Sequence, residues 1–186
     1  MNGKSIKTIL LVEDNPGDAR LLREMLDEEG SQETSLTLAA SMSEAEAYLA
    51  EHTFDIILLD LGLPDAGGLS AVRRAHAVAP KVPLVVLTGM DDERLATRAL
   101  QEGAQDYLIK GQIVSSASQS ETRGLLRAMR YAIERKTLDE ALYLERERAE
   151  VTRRCRLRRK RRRPSPRCAT NSPRCRLASR SGSPSW

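Results

Sequence analysis

Short runs of apolar residues recur along the first two-thirds of the chain, separated by segments in which apolar residues follow a helical spacing. An unalternating run of about four residues is typical of a strand buried on both faces of a parallel sheet. The pattern predicts five strands: Ile9–Val12, Leu36–Ala39, Ile56–Leu59, Leu84–Leu87 and the shorter Tyr107–Ile109.

Helical patterns lie between these strands. After a helix-start signal at residues 15–18, apolar residues recur at three- and four-residue intervals as far as Leu26, and Gly30 is placed to end that helix. The next predicted helices run from about Ser43 to Glu51, from Gly68 to Val78 and from Asp91 to Gln101. Strands that alternate with helices in this way predict an α/β fold with a doubly wound, five-stranded parallel sheet.

One long helix is predicted after Gly111, from roughly Gln119 to Ala149. Its first part carries an apolar stripe that predicts packing on the core: Leu125, Leu126, Met129 and Ile133. Further along, Leu138, Leu142 and Ala149 continue near heptad spacing, but Arg135 and Glu145 fall on the same seam. Residues 137–150 are therefore a helical extension or linker, with two interpretations open: a solvated final helix, or a helix that dimerises or transmits a signal.

Charge separates the last 36 residues from the rest of the chain. Residues 151–186 hold 13 basic residues and no acid, whereas residues 1–150 hold the other 17 bases and all 26 acids. A segment of Arg, Pro, Ser and Cys without periodicity cannot bury a core, so residues 151–186 are expected to be a disordered, Arg-rich tail. Three origins remain open: a basic arm for nucleic acid or an anionic surface, an out-of-frame translation, or an inert linker remnant.

Composition also argues against several classes of protein. The longest apolar runs are far shorter than the roughly 18 residues that a membrane-spanning helix needs, so no membrane span is expected. The N-terminus lacks the apolar centre of a secretory signal, which favours a cytoplasmic location. Cys155, Cys168 and Cys175 all lie in the basic segment without a neighbouring histidine, so structural zinc is not expected.

Polar residues stand where the predicted strands end. Glu13 and Asp14 follow the first strand, and the third, fourth and fifth strands end at Asp60, Thr88 and Lys110. In a doubly wound sheet, ligands bind beyond these carboxyl ends, so the five residues are expected to share one rim. Converging carboxylates repel one another unless a cation neutralises them, and an all-oxygen set favours Mg²⁺. The lysine and the hydroxyl supply what a phosphoryl group needs, a fixed positive charge and a donor.

These residues belong to motifs that resemble the receiver domain of bacterial two-component response regulators. The resemblance covers residues 6–136, and its motifs occur in order on alternating strands: Leu10-Leu11-Val12-Glu13-Asp14-Asn15, then Asp60-Leu61-Gly62-Leu63-Pro64 with Gly67-Gly68, then Leu87-Thr88-Gly89, then Asp106-Tyr107-Leu108-Ile109-Lys110. The resemblance implies the flavodoxin-like strand order 2-1-3-4-5.

The resemblance also implies a role for each rim residue. Asp60 would accept phosphate from a sensor histidine kinase or a histidine phosphotransfer protein. Glu13, Asp14 and Asp60, with the backbone carbonyl of Gly62, would hold Mg²⁺. The phosphoryl oxygens would meet the hydroxyl group of Thr88 and the ammonium group of Lys110.

Signalling in this family implies a change at one face of the domain. Tyr107 is expected to turn inward after phosphorylation and to remodel the face formed by the fourth helix, the fifth strand and the last helix, through which a homodimer could form. Such a protein is a switch and not an enzyme, apart from Mg²⁺-dependent self-phosphorylation and self-dephosphorylation.

The chain departs from the family pattern at two places. Gly111 follows Lys110 where the family usually has proline, so the loop is expected to be looser. Gly62 and Met90 occupy the positions that tune dephosphorylation, and neither side chain can orient a hydrolytic water by a hydrogen bond. A long-lived phosphorylated state is therefore expected.

Two other functions compete with the phosphoacceptor switch. One is a phosphatase or phosphotransferase of another doubly wound family, although such enzymes commonly place the nucleophile after the first strand and Asp60 follows the third. The other is a non-phosphorylated receiver-like module that acts through its basic tail. No helix-turn-helix signature follows the receiver-like region.

Overall fold

The computed structural model describes residues 6–29, 34–89, 93–111 and 119–161. The chain divides into two compact units, residues 1–141 and residues 142–186. The candidate site residues all lie in the first unit.

The first unit contains a five-stranded parallel sheet in the order β2-β1-β3-β4-β5. The strands are β1 (Thr8–Val12), β2 (Ser35–Ala39), β3 (Ile56–Asp60), β4 (Leu84–Thr88) and β5 (Asp106–Ile109). All four neighbouring pairs are parallel. The predicted doubly wound sheet and its 2-1-3-4-5 order are therefore confirmed.

The helices lie between the strands and after the last one. They are α1 (Pro16–Glu29), α2 (Met42–Glu51), α3 (Leu69–Val78), α4 (Glu93–Gln101) and α5 (Gln119–Arg161). Local sequence explains their ends. Before α2, for example, the Ser41 hydroxyl accepts a hydrogen bond from the Glu44 backbone N–H, and the Glu44 carboxylate accepts one from the Ala40 N–H. The first of these bonds satisfies a backbone donor that the first turn of a helix leaves without a partner, and the second holds the backbone just before the cap.

Both faces of the sheet are buried, which explains the unalternating apolar strands. Successive strand residues point to opposite faces. Thus Leu10 packs in a cluster with residues of α2, α3 and α4, whereas its neighbour Leu11 packs in a second cluster with residues of α1 and α5. Leu125 and Met129 of α5 are buried in that second cluster, as their spacing predicts.

The observed end of α5 corrects one expectation. The helix runs to Arg161, so the predicted end near Ala149 is wrong, and residues 151–161 of the segment expected to be disordered are helical. Arg, Lys and Leu have high helix propensity, and no Pro or Gly occurs between Gly124 and Pro164. Loss of the apolar stripe therefore ends the buried part of α5 but not the helix. Residues 162–186 lie outside the described residues.

In the second unit, the described side chains of α5 are exposed, among them Leu142, Tyr143 and Leu144. Local contacts within the helix include a hydrogen bond from the Tyr143 hydroxyl to the Glu147 carboxylate. No helix among the described residues is both long and apolar enough to cross a membrane.

Hydrogen bonds of Asp65 hold the loop that follows Asp60 at the end of β3. The Asp65 carboxylate accepts hydrogen bonds from the backbone N–H groups of Met42 and Ser43, both at 2.9 Å. These backbone donors lower the pKa of Asp65. The Arg74 guanidinium lies 3.8 Å from the same carboxylate and donates two hydrogen bonds to Glu46. The loop that carries Gly62 is thus tied to the first turn of α2.

The turn before β5 requires glycine at residue 103. Gly103 has a φ of +114°, and a Cβ atom there would lie 2.9 Å from ring atoms of His76. We expect Gly103→Ala to lower the free energy of unfolding by about 2 kcal/mol, because alanine is strained at this φ and meets the imidazole. Denaturant unfolding measures the loss.

Gly124→Ala is the matched control, since a Cβ at this exposed position of α5 meets no atom within 4 Å. The same chemical change should raise stability there by up to about 1 kcal/mol, because alanine is the better helix former. Equal effects of the two substitutions would contradict the strain at Gly103.

Candidate functional site

The carboxyl ends of three strands bring together the residues of the candidate site. Asp60 is the last residue of β3, and Glu13 and Lys110 directly follow β1 and β5. Glu13 stays in line with the sheet because its backbone N–H donates a hydrogen bond to the Ala39 carbonyl at 2.9 Å. The side chains of Glu13 and Asp60 are 0% and 9% exposed, so both carboxylates lie inside the rim.

Lys110 is the cation at the centre of this rim. Its Nζ lies 2.6 Å from Oε2 of Glu13 and 3.0 Å from Oδ2 of Asp60. It also donates a hydrogen bond to Oδ2 of Asp18 at 3.1 Å. The predicted proximity of the lysine to the carboxylates is therefore seen in the structure.

Three carboxylates are close enough to hold one metal ion. Oxygen atoms of Glu13, Asp14 and Asp60 all lie within 4.8 Å of one another, and Asp14 is exposed. With Asp18, the rim holds four acids and one lysine, so acidic groups outnumber basic ones there. The donor set and the charge therefore fit a hard divalent cation such as Mg²⁺.

Burial and charge shift the ionisation of the rim. Burial raises the pKa of Glu13, and the negative charge of Asp60 raises it further, whereas the contact with Lys110 works in the opposite direction. Burial also disfavours the charged form of Lys110, but hydrogen bonds with Glu13, Asp60 and Asp18 outweigh it and hold the pKa of Lys110 above its usual range. At neutral pH the lysine is thus a permanent cation beside Asp60.

The turn from β1 to α1 orients the acids on that side of the rim. Oε1 of Glu13 accepts a hydrogen bond from the backbone N–H of Asn15, and the Asn15 side chain accepts one from the N–H of Gly17. The next residue, Asp18, lies in the first turn of α1. Asp18 is absent from the set of site residues predicted from the sequence, where its only signal is an acid one helical turn beyond the Glu13-Asp14 pair.

Gly62 lies very close to the candidate nucleophile. A Cβ atom at this position would be 3.1 Å from Oδ2 of Asp60, so a larger side chain would crowd the carboxylate. Met90, the other residue predicted to affect dephosphorylation, lies outside the described residues, as do residues 112–118 of the loop after Gly111.

Thr88 lies on β4, the strand next to Asp60, and Tyr107 lies on β5, one strand further out. Thr88, the last residue of β4, is buried. Tyr107 in β5 is half-buried and packs against the cluster that contains Leu10. Tyr107 is therefore only partly accessible in this structure.

Comparisons with known proteins agree with this geometry. The family model of the response regulator receiver domain matches residues 9–116, which is more than half of the chain. The chain therefore belongs to the response regulator receiver domain family, and the resemblance seen in the motifs is confirmed.

Individual relatives show how much of a response regulator is present. The virulence transcriptional regulatory protein PhoP of Salmonella typhimurium is 38% identical over 102 residues, which is 55% of this chain and 44% of PhoP. The chain thus spans less than half the length of the curated relatives it matches.

Solved structures of receiver proteins are similar as well. The phosphorylated cyanobacterial phytochrome response regulator RcpA is 27% identical, with a TM-score of 0.56, and the match covers 64% of this chain and 91% of that chain. The Mn²⁺-bound form of response regulator Rcp1 is 26% identical, with a TM-score of 0.55 and the same coverage.

The buried pair of Glu13 and Lys110 predicts a pH-dependent effect. Lys110→Met should lower the free energy of unfolding by about 2 kcal/mol at neutral pH without metal, because it leaves a buried carboxylate without its cation. The folded-state pKa of Glu13 is already raised and would rise further. Since protonation removes the uncompensated charge, the loss is full above that pKa and shrinks as the pH falls through it.

Denaturant unfolding in a chelator, at neutral and at mildly acidic pH, measures this difference. Lys81→Met, at an exposed lysine, is the matched control and should have little effect at either pH. A loss for Lys110→Met that is the same at both pH values would contradict the assigned role of Glu13.

Proposed function

We propose that this receiver domain is the phosphoacceptor switch of a two-component phosphorelay, with Asp60 as the residue that receives the phosphoryl group. The observation that carries the proposal is the contact of 3.0 Å between Oδ2 of Asp60 and Nζ of Lys110, inside a cluster of carboxylates. A carboxylate nucleophile next to a fixed cation is suited to phosphoryl transfer, which depends mainly on positioning and charge stabilisation.

The transfer would form one P–O bond and break one P–N bond. A carboxylate oxygen of Asp60 attacks the phosphorus atom of a phosphohistidine, the P–N bond breaks, and the imidazole of the donor leaves with the bonding electron pair. Lys110 stabilises negative charge on the phosphoryl oxygens, and the Thr88 hydroxyl donates to one of them.

A metal ion is part of the proposal because the rim fits one. Glu13, Asp14, Asp60 and the backbone carbonyl of Gly62 would hold Mg²⁺. When bound, this ion supplies positive charge that offsets the repulsion between the carboxylates and the incoming phosphoryl group. The similarity to a Mn²⁺-bound and to a phosphorylated response regulator supports both parts of the proposal.

The donor would be a sensor histidine kinase or a histidine phosphotransfer protein of the same cell, so the domain would act in the cytoplasm. The response would be a changed interaction face formed by α4, β5 and α5, through which two copies could pair. The matched region covers 44% of PhoP. We therefore propose that this face contacts an effector, without naming the output that the effector produces.

Intact-mass measurement tests the phosphoacceptor directly. After incubation with Mg²⁺ and acetyl phosphate, the wild-type chain should gain one phosphoryl group, and Asp60→Asn should gain none because it lacks the nucleophilic carboxylate. A chelator should abolish the gain. Asp27→Asn, which removes an exposed acid of α1, is the matched control for the lost charge and should still be labelled.

Label on the Asp60→Asn variant would contradict the assignment of the nucleophile. No label on the wild type would overturn the phosphoacceptor function and favour a receiver-like module that works without phosphorylation.

We further propose that Tyr107 reports the switch. Phosphorylation would draw the Thr88 hydroxyl towards the phosphoryl group, which opens space for the half-buried ring of Tyr107. With all four tyrosines ¹³C-labelled, the ring signals of Tyr107 should move when beryllium fluoride and Mg²⁺ are added as a phosphoryl mimic.

Tyr143, which is exposed in the second unit, provides the reference signal within the same sample. The Tyr107→Phe variant assigns the resonance. A Tyr107 signal that stays in place while other signals near Asp60 move would contradict its role in the switch.

A further inference from the structure

Asp18 binds Lys110 from outside the candidate metal cluster. Its Oδ2 accepts a hydrogen bond from Nζ at 3.1 Å, across 92 positions of sequence. The three carboxylates that lie within 4.8 Å of one another are those of Glu13, Asp14 and Asp60. Lys110 therefore has two partners inside the cluster and one outside it.

The residue after Lys110 offers no side chain that could hold the ammonium group in place. Gly111 has no side chain, and a Cβ atom there would meet nothing within 4 Å. A lysine side chain has a flexible four-carbon stem, so the position of its charge depends on the groups that bind it. Where the family usually has a proline after the lysine, this chain needs another constraint.

Asp18 is well placed to supply that constraint. It lies in the first turn of α1, where a negative charge is favoured by the helix dipole. The turn before it is fixed by two hydrogen bonds of Asn15, one from the Gly17 N–H to its side chain at 2.9 Å and one from the Ala19 N–H to its carbonyl at 3.0 Å. The Asp18 side chain is 30% exposed, so it remains partly shielded from water.

We infer that Asp18 is a positioning residue for phosphoryl transfer, which holds the Lys110 ammonium beside Asp60. This inference rests on the proposed function. During transfer, Glu13 would engage the metal ion and Asp60 would become an acyl phosphate, so both partners of Lys110 inside the cluster change. Asp18 is the partner that keeps its charge and place, and it keeps the lysine oriented towards the phosphoryl oxygens.

The first experiment compares Asp18→Asn with Asp27→Asn. Both variants remove one acid from α1, but Asp27 is exposed and lies about 13 Å further along the helix axis. At saturating Mg²⁺, Asp18→Asn should be labelled by acetyl phosphate about three- to tenfold more slowly, because a neutral amide binds the ammonium group less strongly than a partly exposed carboxylate does. Asp27→Asn should keep the wild-type rate, and the Mg²⁺ concentration for half-maximal rate should not change in either variant.

The second experiment measures Lys110 without using the reaction. Brief acetylation with acetic anhydride, located by peptide mass mapping, reports how freely the Lys110 amine reacts. Loss of Asp18 should make Lys110 about three- to tenfold more reactive, because a charge-assisted bond that shields the amine is gone. Exposed Lys81 is the internal reference and should react equally in all variants.

The outcomes separate this inference from the proposed function. Slower labelling together with faster acetylation of Lys110 supports the positioning role. Three results would overturn the positioning role while the phosphoacceptor function stands. Asp18→Asn could be labelled at the wild-type rate, it could be labelled more slowly with no change in the acetylation of Lys110, or its Mg²⁺ midpoint could shift. A wild-type chain that takes up no label overturns the proposed function, and this inference falls with it.

Discussion

Repulsion among acids held at the end of the sheet is the constraint to which the surrounding structure responds. The carboxylates of Glu13 and Asp60 are almost fully buried, and their contact with Lys110 compensates only part of their charge. Burial of like charges is unfavourable, so it persists only where the rest of the fold supplies the free energy. Here that free energy comes from the apolar strands, which bury both faces of the sheet. The rim therefore holds its acidic oxygen atoms close together at a free-energy cost that the apolar core offsets.

Backbone contacts keep the acids from moving apart. The hydrogen bond from Glu13 to Ala39 extends the pairing of β1 beyond its last residue, and the N–H of Leu61 does the same towards the Leu87 carbonyl on the other side of Asp60. Asp65 then ties the following loop to α2. Each acid can lower its repulsion by becoming protonated or by binding a cation, but not by a shift of its backbone. Added or removed charge therefore changes the protonation and the contacts of these acids, and not the positions of their backbones.

The sheet and most of the rim can be predicted from the sequence, for a clear physical reason. A strand buried on both faces must be apolar throughout, so the strands are visible as runs, and Glu13, Asp60 and Lys110 stand at their ends. Asp18 could not be predicted in this way because it lies on a helix, and its partner is 92 residues away. Its role depends on the rotation of α1 against the sheet, which no local pattern encodes.

In the long helix α5, the sequence predicts which residues are buried but not where the helix ends. Leu125 and Met129 were predicted to be buried because burial leaves a periodic stripe. The predicted end of α5 is wrong because loss of that stripe marks the end of burial, whereas the helix itself continues to Arg161 through residues of high helix propensity. Periodicity reports what a helix packs against, and propensity reports how far its backbone can continue.

The strand β5 is anchored at both of its ends. At one end, the Arg135 guanidinium donates a hydrogen bond to the carbonyl of Gln105 at 2.8 Å, and the Gln105 side chain accepts one from the Leu84 N–H. At the other end, Lys110 is held by the acids of the rim. Sliding the strand along its axis would break one of these anchors. Rotation of a side chain between them breaks neither, so Tyr107 lies on a strand whose two ends are held independently of its ring.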